Sequence, residues 1–163
     1  MFKRFWLFFL LIMVLLPAML FAHCQIPCGI YGDKTQIVLM QEHITTIEKS
    51  MKEIERLSST EQINYNQLVR WVNNKDKHAD AFTEIVTYYF LAQRIKIADP
   101  SDNESLVKYQ KQLGLLHEMM VFAMKCKQTT NLENATKLSE LLDKFVETYF
   151  TKEEIEHLKE HHE

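Results

Sequence analysis

His23, Cys24 and Cys28 fall within six positions of one another in the stretch AHCQIPCGIY (Ala22 to Tyr31), which holds two of the chain's three cysteines. Imidazoles and thiolates are metal donors, and two thiols four residues apart can also close a short disulfide loop. Which chemistry applies depends on what precedes His23. Lys3 and Arg4 open the chain with positive charge, and Phe5 to Ala22 then runs without a charged residue. A basic start, an apolar middle, a helix-breaking Pro17 and the small Ala22 at the end predict an export signal cut after Ala22 by signal peptidase. Such a chain is exported, to a periplasm or beyond the cell. The same run is long enough to be a membrane anchor if it is left uncut.

A cut after Ala22 frees the α-amine of His23. The donors are then that amine, the His23 imidazole, the Cys24 backbone nitrogen and the thiolates of Cys24 and Cys28. One metal can chelate the amine and the Cys24 amide nitrogen in a five-membered ring, and the Cys24 sulfur closes another. Cys28, returned by a turn through Gln25, Ile26 and Pro27, fills the fourth corner. Planar N2S2 donors point to Ni(II) or Cu(II) rather than to tetrahedral Zn(II). Pro27 stiffens the turn and Gly29 lets the chain leave it. The His23 imidazole is placed to serve as an axial fifth ligand. Thiolate and deprotonated amide are strong donors that stabilise a trivalent metal, which brings one-electron chemistry within reach. Two alternatives stay open on spacing alone. One is a Cys24–Cys28 disulfide, since exported chains meet oxidising surroundings. The other is an exported, non-enzymatic helical protein that binds nickel or copper through the same residues.

A hook of nine residues needs a body to hold it. The chain has 163 residues, of which 47% are hydrophobic, enough for one domain with a core. Three Gly and three Pro are few for an all-β fold, and a net charge of -3 gives no reason to expect nucleic acid as a partner. Ile37, Met40, Ile44, Ile47, Met51 and Ile54 recur at helical spacing within residues 35–57. Ser58 to Glu61 reads as a boundary with a capping box. A second helix spans about residues 61–96, with a break near Asn73 and Asn74, and buries Phe82, Ile85, Val86, Tyr89 and Ala92. Asp99-Pro100-Ser101 is a loop, with Ser101 and Glu104 as the next capping box. The third seam is Leu106, Tyr109, Leu113, Leu116, Met120 and Ala123. The fourth is Leu138, Leu141, Leu142, Phe145, Val146 and Tyr149, followed by a short charged helix from Glu153. The prediction is all-α: an antiparallel four-helix bundle at residues 32–163, preceded by a metal hook at 23–31 and a removable signal at 1–22.

Other candidates read as structural. Cys126 follows Phe122 by one turn on an apolar stripe, as a core thiol does. His157, His161 and His162 sit among Glu and Lys in a charged tail. His43 and His117 read as surface or hydrogen-bonded helix residues.

His-Cys-x-x-Pro-Cys-Gly-x-Tyr just after a removable segment closely resembles the nickel hook of nickel-containing superoxide dismutase. His23, Cys24, Pro27, Cys28, Gly29 and Tyr31 all match it. The resemblance implies a four-helix bundle assembled as a homohexamer. It also implies dismutation of superoxide to dioxygen and hydrogen peroxide by Ni(II)/Ni(III) cycling, with one nickel ion in each chain. His23, Cys24 and Cys28 would hold the metal, with Tyr31 close to the approaching substrate. A further family tyrosine, on a later helix before a Phe, corresponds to Tyr89 ahead of Phe90, with Tyr88 as the alternative. The sequence departs from the family at two points. An export signal stands where better-known members carry a propeptide cut by a dedicated protease. The carboxylate that meets the axial imidazole has no match at its usual offset, where Leu39 stands; Glu42, a helical turn on, takes its place in this reading.

Overall fold

Ile37, Met40, Ile44, Ile47, Met51, Ile54 and Leu57 are all buried along one side of the helix Asp33–Ser58 (α1), as their spacing requires. They belong to a computed structural model that describes residues 32–160, with side chains through Glu156. The hook residues His23, Cys24, Cys28 and Tyr31, the run Phe5 to Ala22 with its predicted cut, and the side chains of His157, His161 and His162 lie outside the described residues.

Four long helical arms follow one another through short links: α1, then Tyr65–Glu84 (α2) continuing as a π-helical segment Ile85–Arg94, then Asn103–Gln128 (α3), then Leu132–Tyr149 (α4). A short helix, Lys152–Glu160 (α5), ends the described chain. Each arm packs on the next, and α4 returns to α1, which closes a four-helix bundle around one core. No strand occurs among the described residues, and no helix among them is long and apolar enough to cross a membrane.

The element ends differ from the sequence reading in physical detail. Ser58 to Glu61 does not start a helix. The Ser59 amide and the Thr60 hydroxyl donate back to the carbonyls of Glu55 and Leu57 and close α1 instead. Asn64 caps α2, its side-chain oxygen accepting from the Gln67 amide at 3.2 Å. Asn73 and Asn74 break nothing: α2 runs through them, and the Asn74 amide donates to the Ser50 hydroxyl across the α1–α2 seam at 3.0 Å. Asp102, one residue after Ser101, caps α3 by accepting from the Glu104 and Ser105 amides. Along α3 the buried set is Gln112, Leu115, Leu116, Met119, Ala123 and Cys126, so the core face is turned from the predicted seam. Gln112 is tolerated there because its amide donates to the Thr148 carbonyl on α4 at 3.1 Å.

Cys126 is a core thiol, and burial pushes its pKa up to about 11, with Lys75 pulling the other way. Lys75 itself is 2% exposed. Its ammonium donates to the Cys126 carbonyl at 2.6 Å and to the Lys127 carbonyl. A cation thus satisfies two end carbonyls of α3, where the helix dipole favours positive charge.

His43 on α1 and His78 on α2 face each other, Nδ1 to Nδ1 at 2.9 Å, while His117 is exposed. One ring must donate and the other accept, so a second Nδ1 proton would set two N–H groups head to head. Burial and then His78 lower the pKa of His43, with Glu42 pulling it back; burial and then Lys77 lower that of His78. The unfolded chain therefore takes up protons first as pH drops below about 6.5. Stability from the neutral pair is complete above that pH and is lost as pH falls through the lowered folded values. Urea unfolding should show a lower midpoint at pH 5.5 than at 7.5, and His43→Gln should shrink the difference. An undiminished difference in that variant would assign the acid sensitivity elsewhere.

Candidate metal centre and its anchorage

The predicted ligands His23, Cys24 and Cys28, and Tyr31, precede the described residues, but the point where they join the bundle is fully described. Gly32 leads into Asp33, the first residue of α1. Two positions separate Asp33 from Tyr31, the last residue of the predicted hook. The surroundings of Asp33 are those of the first described turn after the predicted hook.

Asp33 does not use its carboxylate as a solvated first-turn charge. Oδ1 accepts from the Tyr89 hydroxyl at 2.5 Å, and Oδ2 accepts from the Tyr149 hydroxyl at 2.8 Å. Arg94 binds both oxygens, Nε to Oδ1 at 2.9 Å and Nη2 to Oδ2 at 2.6 Å. The Asp33 side chain is only 16% exposed, so this ion pair is largely removed from water. Burial raises the carboxyl pKa, but the hydrogen bonds from Arg94, Tyr89 and Tyr149 outweigh it and hold it below the ordinary value. Burial and the bond to Asp33 push Tyr89 up to about 12, with a backbone hydrogen bond from Gly32 pulling it partly back. Tyr149 is raised by the same two causes, burial first, and Arg94 is raised chiefly by its bond to Asp33. At neutral pH the cluster holds one carboxylate, one guanidinium and two intact phenols.

The π-helical segment makes this cluster possible. In an α-helix, residues five apart diverge by well over a quarter-turn, whereas a π-helix pairs i with i+5. The Ile95 amide bonds the Phe90 carbonyl at 2.9 Å, and the Gln93 side chain reaches the Tyr88 carbonyl. Tyr89 and Arg94 therefore come to one side and reach the same carboxylate. The wider turn also puts Phe90 in the core at 0% exposure and leaves Ala92 exposed, reversing the predicted burial of Ala92.

Tyr89 is buried and bonds Asp33, while Tyr88 is 54% exposed. Glu42 is exposed on α1, about 13 Å along the axis from Asp33 at 1.5 Å per residue. Sequence does not mark Asp33 or Arg94 as site residues, and it marks Tyr149 only as a seam residue of the fourth helix. An Asp in the first turn of a helix is ordinary, and nothing in residue type marks a π-helix. Among the described residues no group of three His, Cys, Asp or Glu side chains is arranged to hold a metal ion.

The family model for nickel-containing superoxide dismutase matches residues 18–153. No curated protein and no solved structure matches the chain. The matched span takes in residues 23–31, Asp33 and all four long helical arms.

Proposed function

The chain belongs to the nickel-containing superoxide dismutase family, and on that footing we propose that residues 23–31 are its nickel hook, exposed by removal of residues 1–22. The protein is a superoxide dismutase, an oxidoreductase with a nickel cofactor that turns superoxide into dioxygen and hydrogen peroxide. The donor types fit the metal: the His23 amine, the Cys24 amide nitrogen and the Cys24 and Cys28 thiolates would hold nickel through strong donors. When bound there, nickel supplies the one-electron couple that the two half-reactions need.

The chain's own residues supply placement. The observation that carries this reading is the tie at the hook's exit, where Tyr89 bonds Asp33 and receives a hydrogen bond from Gly32. With its phenol proton donated to Asp33 and its pKa at about 12, Tyr89 is a fixed polar wall at neutral pH rather than a proton source. Tyr31, two positions before Asp33 in sequence, is the tyrosine this reading assigns to the substrate side.

A nine-residue hook cannot enclose its own metal, and thiolates beside peroxide are open to oxidation. We therefore assign the homohexamer, in which a neighbouring chain covers the hook. Tyr65, Val69 and Val72 support an assembled state. They recur at i, i+4 and i+7 on α2 with 69%, 55% and 36% exposure, an apolar stripe unlike an isolated surface. Signal peptidase matures the chain, and the mature protein works outside the cytoplasm.

The test is intact mass, nickel content and superoxide decay on one sample from an exporting, nickel-supplied host. The expected result is a chain that begins at His23, carries about one nickel per chain and loses both metal and turnover on Cys24→Ser. An uncut chain, or a Cys24–Cys28 disulfide without metal, would overturn the assignment of the hook.

A further inference from the structure

We propose that Asp33 is a positioning residue for the metal centre: its carboxylate, gripped by Arg94, Tyr89 and Tyr149, locks the joint between the hook and the bundle. The proposal rests on residues 23–31 being the hook, and it goes further by naming what holds that hook in place.

A plain reading of Asp33 would be a helix-dipole charge, worth a few tenths of a kcal/mol and pointing to water. The structure departs from it in three ways. The carboxylate does not face water, for the Asp33 side chain is only 16% exposed. Both oxygens are taken up by groups from two other elements, the π-helical segment and α4. The segment that delivers two of the three partners adopts a helix type that is rare and that gathers at functional sites. Stability alone does not call for a bidentate ion pair, a buried phenol and a half-buried one at the first residue of a helix, since replacing such groups by apolar ones is often neutral. What this cluster provides is a fixed origin. Residue 33 is tied to two elements packed from different sides, so α1 cannot fray or swivel at its first turn. The chain before Gly32 is therefore joined to a fixed first turn.

The consequence for chemistry is geometric. Nickel ligands on a nine-residue arm move with the arm's root, and misplacing a reacting centre by about 1 Å can cost up to about a hundredfold in rate. Tyr89 sits at that root as well, accepting from Gly32 while donating to Asp33. Loss of the carboxylate would release the arm and the phenol together.

The experiment compares wild type, Asp33→Asn and Tyr149→Phe as mature, nickel-supplied protein. Asp33→Asn keeps the shape and removes the charge that Arg94 pairs with. Tyr149→Phe removes one donor from α4 and leaves the ion pair, which keeps the test sound if the first variant folds poorly. Three readouts are taken: hydrogen–deuterium exchange of metal-free protein, the electron paramagnetic resonance spectrum of the oxidised enzyme, and superoxide decay. In Asp33→Asn, exchange should rise about tenfold at residues 29–36 and stay unchanged in α2 and α3. Its resonance lines should broaden, and kcat/KM should fall about tenfold with nickel still bound. Tyr149→Phe should show the same changes at smaller size. Wild-type exchange, line shape and rate in Asp33→Asn would overturn the proposal, and so would faster exchange spread evenly over the bundle, which marks a stability role only. A wild type without nickel would instead overturn the hook itself, so the two failures are distinct.

Discussion

Phe90→Ala is expected to cost the bundle about 3–5 kcal/mol, the largest single loss among the core positions. Phe90 is fully buried and stands at the centre of an aromatic group. Its ring meets Tyr89 at 5.1 Å, Phe145 at 5.0 Å and Tyr149 at 5.5 Å between centroids, each edge to face. Truncation leaves a cavity bordered by three rings that cannot all collapse into it. A domain of this size has roughly 5–15 kcal/mol in total, so the variant sits close to unfolding at ordinary temperature. The loss also reaches the site, since Tyr89 and Tyr149 are two of the three groups that hold Asp33. Urea denaturation measures the effect, and Phe90→Leu serves as the milder comparison. A loss under about 1 kcal/mol in Phe90→Ala would mean that the aromatic group repacks and that the π-helical segment is not held by it.

The parts of the fold that the sequence made legible are those where one apolar stripe stands against polar faces. α1 is the clearest case: every member of its predicted seam is buried. On α4, Leu138, Leu141, Leu142 and Phe145 are buried as predicted. α3 was harder because it is apolar on several sides. Leu113, Leu115, Leu116, Met119, Met120, Val121 and Phe122 allow more than one seam, and the choice among them is made by what α2 and α4 present. Gln112 in the core could not be foreseen, since its partner is a carbonyl 36 residues away. The π-helical segment was invisible for a different reason. It depends on a register of hydrogen bonds rather than on residue types, and by adding a residue to the turn it exchanges Ala92 for Phe90 in the core.

The candidate site divides the same way. The proposed hook rests on local chemistry: six fixed residue types in nine positions, with a predicted free amine at the first. Its anchorage is not local. Asp33, Tyr89, Arg94 and Tyr149 are separated by up to 116 positions, and each has an ordinary reading when taken alone. Spacing points to Glu42 beside Leu39, whereas the largely enclosed carboxylate is that of Asp33, six positions before Leu39. Local spacing identified the proposed donors, and only the packing of three elements identified what holds their arm.

The strongest effect on activity is expected from a change that alters no side chain. A glycine inserted between Ala22 and His23, with the cut still after Ala22, turns the His23 amine into an ordinary amide. The amine has a pKa near 7.7–8.0 and offers its lone pair at neutral pH once one proton leaves. A peptide nitrogen has no lone pair to give until its N–H is removed, which is far harder. The inserted residue keeps both thiolates and the imidazole but removes the easiest of the nitrogen donors and moves the new amine one residue out of the ring. The bundle begins ten residues further on and is untouched. Superoxide decay should therefore fall at least about a hundredfold, with helical content and urea midpoint unchanged. Nickel content, read on the same sample, separates failure to load from failure to turn over. Wild-type turnover in the extended chain would show that the amine is not a ligand and would move the nitrogen donors elsewhere, to the His23 imidazole first.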